Sequence, residues 1–128
     1  MARAAKFEKA WRLAYTKTDY SLLKSLLHTD YQMYDHRMGI KVDFETEKSL
    51  IGTLSPFLTL GPREILYENE DVYAAMQFSK YIEKYPRYLA KIGTANLQNG
   101  KLIYAKIVRE VLDFAPSEGQ DWNWEDYE

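Results

Sequence analysis

Apolar side chains recur every three to four positions in the first part of the chain, which is the spacing of an amphipathic helix. The first such stripe consists of Phe7, Ala10, Trp11, Ala14 and Tyr15. A leucine face over 22–27 and an apolar stripe over 50–54 repeat the pattern. We therefore expect three short helices, the third capped at its start by Asp43 and ended by Pro56.

Later in the chain apolar positions alternate with polar ones, which indicates strands. Strands are predicted over 31–36, 40–42, 63–67, 72–83, 87–97 and 101–114. Gly61 and Pro62 are expected to break the chain before the third strand, and Asn99-Gly100 supplies the two residues of positive φ that a tight hairpin needs. The last three strands then form an antiparallel meander whose apolar face the helices must cover. This predicts an α+β sandwich or open cone.

Composition and charge narrow the possible functions. The 128 residues suffice for one core, so we expect a single domain over 1–116 and an acidic, aromatic tail over 117–128. A net charge of −2 argues against nucleic acid as a partner, and no apolar run is long enough to span a membrane, so a cytoplasmic protein is expected. With no cysteine and two histidines, the chain is expected to hold no metal, and no other cofactor is implied.

The tail has a strong charge bias. Its acidic residues are Glu118, Asp121, Glu125, Asp126 and Glu128. Without them the net charge rises from −2 to +3. Two alternatives stay open: a disordered solubilising end, or a strap that docks on the more basic body through Trp122, Trp124 and Tyr127.

Two segments carry a resemblance to a known family. "TDYSLLKSLLHTDYQMYD" combines the second helix with a first strand that ends in aspartate, and "LQNGKLIYAKIVREVLDF" contains the last hairpin. Their order and spacing resemble the nuclear-transport-factor-two-like superfamily, which includes SnoaL-like cyclases and ketosteroid isomerases. The resemblance covers nearly the whole chain. It implies a cone-shaped, curved antiparallel sheet wrapped around helices, with a ligand pocket at the open end.

The isomerase branch of that family implies three site positions. Its first-strand aspartate moves a proton as the catalytic base, and Asp35 stands at the matching place. Its oxyanion-stabilising tyrosine is matched by Trp11, and its protonated second carboxyl is matched by Ile92. An indole is a far weaker acid than a phenol, and isoleucine cannot donate a proton. The resemblance therefore predicts that the isomerase oxyanion hole is missing.

Asp35 and Arg109 form the expected polar end of the pocket. Side chains alternate between the two faces of a strand, so Met33 lies on the same inward face of its strand as Asp35. On the last strand, Arg109 shares its face with Ala105 and Ile107. The two charges form either a bidentate structural ion pair or a working pair in which Arg109 binds a ligand anion. An arginine neighbour stabilises the ionised carboxylate, which opposes a role as base. For the structural pair, we expect Asp35→Asn to cost about 3–5 kcal/mol.

The alternation of Val72, Ala74, Met76 and Phe78 predicts that these side chains face the interior. The expected ligand-binding residues are Arg109, Trp11, Met33, Met76, Phe78 and Ile92. The predicted function is a module for small-molecule binding or assembly, and whether it is an enzyme stays open. The alternative is a cofactor-free isomerase, dehydratase or cyclase that acts on a small hydrophobic acid or ketone, with Asp35 as proton shuttle.

Eleven tyrosines are more than the core of a small domain needs. We expect several of them to lie on the outer face of the sheet, where aromatic side chains favour contact with a partner. This predicts a homodimer with Tyr73, Tyr81 and Tyr104 near its interface.

Overall fold

Three helices precede or interrupt a six-stranded sheet in the computed structural model, which describes residues 2–127 and, of their side chains, those of 4–127. The helices are α1 (Ala2–Lys17), α2 (Ser21–Leu26) and α3 (Phe44–Leu54). The strands are β1 (Leu27–Asp35), β2 (Ile40–Asp43), β3 (Leu58–Glu68), β4 (Val72–Ile82), β5 (Pro86–Gln98) and β6 (Lys101–Leu112). Among residues 2–127, no helix is both long and apolar enough to cross a bilayer.

The sheet is open and curved, and its strand order is β2-β1-β6-β5-β4-β3. Four of its neighbouring pairs are antiparallel, but β1 and β6 run parallel. The expectation of a wholly antiparallel sheet was therefore wrong at this pair. Between β1 and β6 the chain passes through β2, α3 and the other strands, which is ample length for the crossover that a parallel pair requires.

Local chemistry sets the element boundaries. The Asp43 side chain accepts a hydrogen bond from the Thr46 backbone N–H at 2.9 Å and caps α3, as predicted. Asn99 and Gly100 have φ values of 53° and 78°, which confirms the tight β5–β6 hairpin. The predicted break at Gly61-Pro62 was wrong, since β3 continues through it with a register shift. Proline fits there because β3 is the edge strand.

The core lies between α1 and the concave face of the sheet. Phe7, Ala10 and Ala14 are fully buried along one stripe of α1. The two alanines allow a close approach to the sheet, and the Phe7 ring lies 5.6 Å from that of Tyr73. Tyr73 is 3% exposed, so its predicted place near a dimer interface was wrong.

The C-terminal strap, residues 117–127, docks on the convex face of the sheet. Trp122 stacks on Phe78 with their ring centroids 6.4 Å apart, and Trp124 is buried. Beyond them, the guanidinium of Arg12 lies 5.3 Å from the centre of the Tyr127 ring. Of the two alternatives for the tail, the structure has the docked strap.

Candidate functional site

A cavity of about 310 Å³ separates the helices from the concave face of the sheet. Its apolar wall includes Trp11, Tyr15, Met33, Leu50, Leu54, Leu60, Ala75, Leu102 and Ile107. Its ionisable residues, tyrosines aside, are Asp35, Glu47, Arg63, Lys91 and Arg109. A second cavity of about 230 Å³ shares six wall residues with the first, including Lys91 and Arg109. The polar groups thus converge where the two cavities meet.

Asp35 ends β1 and is 1% exposed. Its Oδ1 accepts hydrogen bonds from the backbone N–H groups of Arg37 at 2.9 Å and Met38 at 3.3 Å. Its Oδ2 lies 3.6 Å from Arg109 Nη2, which is an ion pair but longer than a hydrogen bond. The predicted pair therefore exists, but it is not bidentate. One oxygen of Asp35 holds the β1–β2 turn and the other faces the arginine.

Lys91 lies beside Arg109 and was missed in the sequence analysis. The two residues are directly opposite each other in the β5–β6 ladder, and both line both cavities. Desolvation, followed by repulsion from Arg109 and Arg63, lowers the pKa of Lys91 to about 8. Among the described residues, no hydrogen bond or ion pair holds its amine. A cation of this kind costs free energy unless a ligand neutralises it.

A carboxyl–phenol pair joins α3 to β1 across the cavity. The Tyr31 hydroxyl donates to Glu47 Oε1 at 2.6 Å. Desolvation raises the pKa of Glu47, although the Tyr31 hydrogen bond and the charges of Lys91 and Arg109 oppose the shift. Desolvation also raises the pKa of Tyr15 to about 12. Desolvation likewise raises the pKa of Tyr31 well above its usual value. Tyr15 and Tyr31 therefore remain protonated and can act only as hydrogen-bond partners near neutral pH.

The charged residues on the wall of the second cavity are all cations. Arg37 and Arg87 join Lys91 and Arg109 on its wall, and that wall contains no aspartate or glutamate. Four positive charges around about 230 Å³ give this region a positive potential that favours an anion. Within the described part of the chain, no group of three or more His, Cys, Asp or Glu residues could hold a metal ion.

Three predicted pocket residues lie on the other face of the sheet. Met76, Phe78 and Ile92 are absent from the cavity wall, and Ile92 is 45% exposed. The inward residues of β4 are Tyr73, Ala75 and Gln77, and those of β5 are Lys91, Gly93 and Ala95. The assignment of Met76, Phe78 and Ile92 to the pocket was therefore wrong, whereas Trp11, Met33, Asp35 and Arg109 do line it.

One extra residue in β6 accounts for the error at Ile92, whereas Met76 and Phe78 were assigned from the alternation within β4 itself. The hairpin pairs Leu97 with Leu102, but the next pair is Asn96 with Tyr104, so Ile103 is a bulge. A bulge reverses which residues face inward beyond it. Without it Ile92 would oppose the buried Ile107. With it Gly93 opposes Ile107, and Met76, the partner of Ile92 on β4, turns outward with it.

The arrangement of helices and sheet matches that of solved structures. A hypothetical protein from Catenulispora acidiphila, solved with trimethylamine and described as having a ketosteroid isomerase-like fold, matches with a TM-score of 0.63 and 15% identity, over 92% of this chain and 97% of that chain. This chain has the ketosteroid isomerase-like fold. The resemblance predicted from the sequence is confirmed at the level of the fold.

Other solved structures with this fold have different descriptions. IdmH, a putative polyketide cyclase from Streptomyces antibioticus, matches with a TM-score of 0.68 and 14% identity over 85% of this chain and 90% of that chain. TerC, co-crystallised with polyporic acid, matches with a TM-score of 0.67 and 14% identity over 84% of this chain and 92% of that chain. No protein-family model and no curated protein matches the sequence.

Within the ketosteroid isomerase-like fold, two of the three positions implied by the isomerase branch line the cavity. They are occupied by Trp11 and Asp35. The third, Ile92, points away from the cavity, and the charged group that β5 supplies is Lys91 instead. The site therefore has a cationic wall where the resemblance implied a protonated carboxyl group.

Proposed function

We propose that this protein binds a small organic anion with an apolar body, and that Lys91 and Arg109 receive its carboxylate or enolate oxygen. The supporting observation is the direct pairing of Lys91 with Arg109 on the wall of a largely apolar cavity. Arg109 has a carboxylate nearby, but Asp35 already accepts two backbone hydrogen bonds. The positive charge in excess of that carboxylate is what an anionic ligand would neutralise.

The neighbouring structures agree with a small-molecule role. TerC was co-crystallised with polyporic acid, and IdmH is described as a putative polyketide cyclase. The cavity of about 310 Å³ is at the small end of the range for organic ligands. The apolar wall would take the carbon skeleton, while the cations take the acid group.

A thermal-shift screen of small carboxylates, phosphates and ketones tests the proposal. Anions with an apolar body should raise the melting temperature of the wild type, because a ligand that binds only the folded state stabilises it by about 2.7 kcal/mol at a hundredfold excess over Kd. Arg109→Ala should lose this response. Lys106→Ala, a change on the convex face, should keep it. An unchanged response in Arg109→Ala would refute the site.

A second candidate is cofactor-free proton transfer. Asp35 lies on the cavity wall, as an isomerase-type proton shuttle requires, and Lys91 has a pKa near the pH at which a general base works. The test is deuterium exchange at the carbon beside the carbonyl of small ketones and oxo acids, followed by NMR. Exchange that is faster with the wild type than with Asp35→Asn would support an enzyme. Exchange that is no faster with the wild type than without protein would leave binding as the function.

We also propose a homodimer formed through the convex face. Tyr81 lines the second cavity and Tyr73 lines the first, so Tyr104 alone of the three predicted tyrosines faces outward. Its neighbours on that face include the cross-strand pair Ile92 and Val108, which are 45% and 49% exposed. Exposed apolar side chains such as Ile92 and Val108 on one face of a sheet favour a partner surface.

Light scattering at micromolar concentration tests the dimer. The wild type should have twice the monomer mass, and Val108→Lys should have the monomer mass without losing its fold. Glu110→Lys, a change at an exposed charged site on the same strand, is the matched control. A monomeric wild type would refute the proposal.

A further inference from the structure

We propose that Lys91 is a reactive amine that forms an imine with an oxo acid, a carboxylic acid whose ketone lies one or two bonds from the carboxylate. Arg109 would hold the carboxylate while the Lys91 amine attacks the adjacent carbonyl carbon. The inference rests on the proposed anion site and goes beyond it, because it assigns a covalent step and a narrower ligand class.

The geometry provides an amine and an anion-binding group side by side. Lys91 and Arg109 are opposite residues of an antiparallel pair in the middle of the sheet, so the two side chains leave the same rigid surface in the same direction. Both line both cavities. A ligand seated on Arg109 therefore presents its neighbouring atoms to the amine. This favours a carbonyl close to the carboxylate over one at the far end of a chain.

The Lys91 amine is available for reaction. A lysine held in an ion pair has its lone pair blocked by a proton, but no described carboxylate pairs with Lys91. The charged groups that share the two cavity walls with it are Asp35 from β1, Arg37 from the β1–β2 turn, Glu47 from α3, Arg63 from β3, Arg87 from β5 and Arg109 from β6. The tyrosines on these walls are Tyr15, Tyr31, Tyr73 and Tyr81. The acids raise the pKa of Lys91 and the cations lower it, but desolvation is the largest effect and brings the pKa down to about 8.

The lowered pKa distinguishes Lys91 from an ordinary surface lysine. A pKa of about 8 against the usual 10.5 leaves roughly 300 times more neutral amine at pH 7. Activation of a lysine by an apolar pocket and a neighbouring cation is an established route to Schiff-base chemistry. Trapping at pH 7 should therefore select this lysine over those on the surface.

The step balances without a co-reactant. The nitrogen lone pair forms a bond to the carbonyl carbon, and the π electrons move to oxygen, which takes up a proton. The resulting carbinolamine loses its oxygen as water, which carries both protons of the neutral amine. The product is a carbon–nitrogen double bond, and no group is oxidised or reduced. The desolvated cavity favours this product because imines hydrolyse readily in bulk water.

Reductive trapping tests the imine directly. The intact protein is incubated with pyruvate or acetoacetate and sodium cyanoborohydride, and its mass is measured before and after proteolytic digestion. We expect one adduct, in which the mass of the acid less its oxygen is joined to the peptide containing Lys91. Lys91→Arg should lower the yield at least tenfold, and Lys106→Arg should leave it unchanged. An adduct confined to other lysines or to the terminal amine would overturn the proposal.

A second comparison separates this proposal from anion binding. Acetoacetate should react at least ten times faster than acetone with the wild type, and Arg109→Ala should remove that preference. If simple carboxylates stabilise the protein but no adduct forms at Lys91, the imine is refuted and the anion site stands. If the adduct forms equally fast with acetone and acetoacetate, carboxylate recognition by Arg109 is refuted. Circular dichroism of Lys91→Met and Lys91→Arg shows whether either variant has lost its fold.

Discussion

At the scale of single residues, the site depends on how three charged side chains share a small space. Asp35 is buried and already satisfied by the turn it caps, Arg109 is partly exposed, and Lys91 has no ionic partner among the described residues. One carboxylate faces two neighbouring cations, so it neutralises only part of the local positive charge. The excess is stabilised when a ligand anion enters.

Asp35→Asn should lower stability by about 1–3 kcal/mol, less than the 3–5 kcal/mol expected from the sequence. The asparagine oxygen can still accept from the backbone N–H of Arg37, and water can solvate the Arg109 side chain, which is 27% exposed. Urea unfolding at pH 7 measures the change. Asp35→Ala, which loses the turn hydrogen bonds as well, should cost more than Asp35→Asn. Equal losses would show that the turn hydrogen bonds contribute nothing.

Lys91→Met should raise stability at pH 7 by about 1–3 kcal/mol, because the wild type must hold a desolvated cation that methionine removes. The folded pKa of about 8 lies below the unfolded value of about 10.5, so the unfolded chain binds more protons between these values. Wild-type stability therefore rises with pH across that window. The advantage of the variant should shrink from pH 8 to pH 10.5. A constant difference at pH 7 and pH 10 would contradict the assigned pKa.

At the scale of secondary structure elements, polar pairs fix the cavity walls to one another. The Tyr31–Glu47 hydrogen bond joins β1 to α3, and Arg12 on α1 donates to the carbonyl oxygens of Leu60 and Gly61 on β3. Each contact spans a different side of the cavity. These contacts hold the helices at a fixed distance from the sheet, so the apolar wall of the cavity does not collapse onto it.

Tyr31→Phe should destabilise the protein by about 1–3 kcal/mol at pH 7, since it removes the only described donor to the Glu47 carboxylate. The pKa of Glu47 is raised in the folded state, so its ionisation weakens the fold as pH rises above the unfolded value of about 4.5. The loss should therefore be smaller at pH 4 than at pH 7. Tyr34→Phe, on the opposite face of β1, is the control. Equal losses at both pH values would contradict the assignment.

The elements were more predictable from the sequence than the faces of the strands. Helical spacing, the Asp43 cap and the Asn99-Gly100 turn are local signals, and each is confirmed. The bulge at Ile103 has no comparable signal, because isoleucine is an ordinary strand residue. The bulge shifts β6 by one residue relative to β5, so a register counted from the hairpin without it places Ile92 opposite Ile107. It concealed Lys91 while Asp35 and Arg109, assigned from their own strands, were placed correctly.

At the scale of the whole molecule, the C-terminal strap covers part of the convex face, so an apolar residue of the sheet can be covered without facing the cavity. Phe78 appeared to belong to the interior because its neighbours alternate, but it is covered from outside by Trp122. The concave face meanwhile contains Gln77, Lys91 and Gly93, which leave space and polar groups for a ligand. The chain thus buries apolar side chains on both faces, and the alternation of polarity alone could not identify the ligand face.

Gly61 and Trp124 provide the sharpest test that the strap docks as described. A Cβ at Gly61 would lie 2.8 Å from Trp124 Cζ3 and 3.1 Å from the Phe78 carbonyl oxygen. Gly61→Ala should therefore cost about 1–3 kcal/mol by overpacking, and Trp124→Ala about 3–5 kcal/mol by emptying a buried site. In the double variant the alanine methyl no longer meets the indole, so the combined loss should fall short of the sum by at least about 0.5 kcal/mol.

The control for this cycle is Gly52→Ala on α3, where an added Cβ has no neighbour within 4 Å. Alanine is the better helix former by about 1 kcal/mol, so this change should stabilise the protein and should add independently to Trp124→Ala. Urea unfolding of all variants at one pH supplies the free energies. Strict additivity of Gly61→Ala with Trp124→Ala would mean that the indole does not rest on β3. The strap would then not cover the convex face at this point.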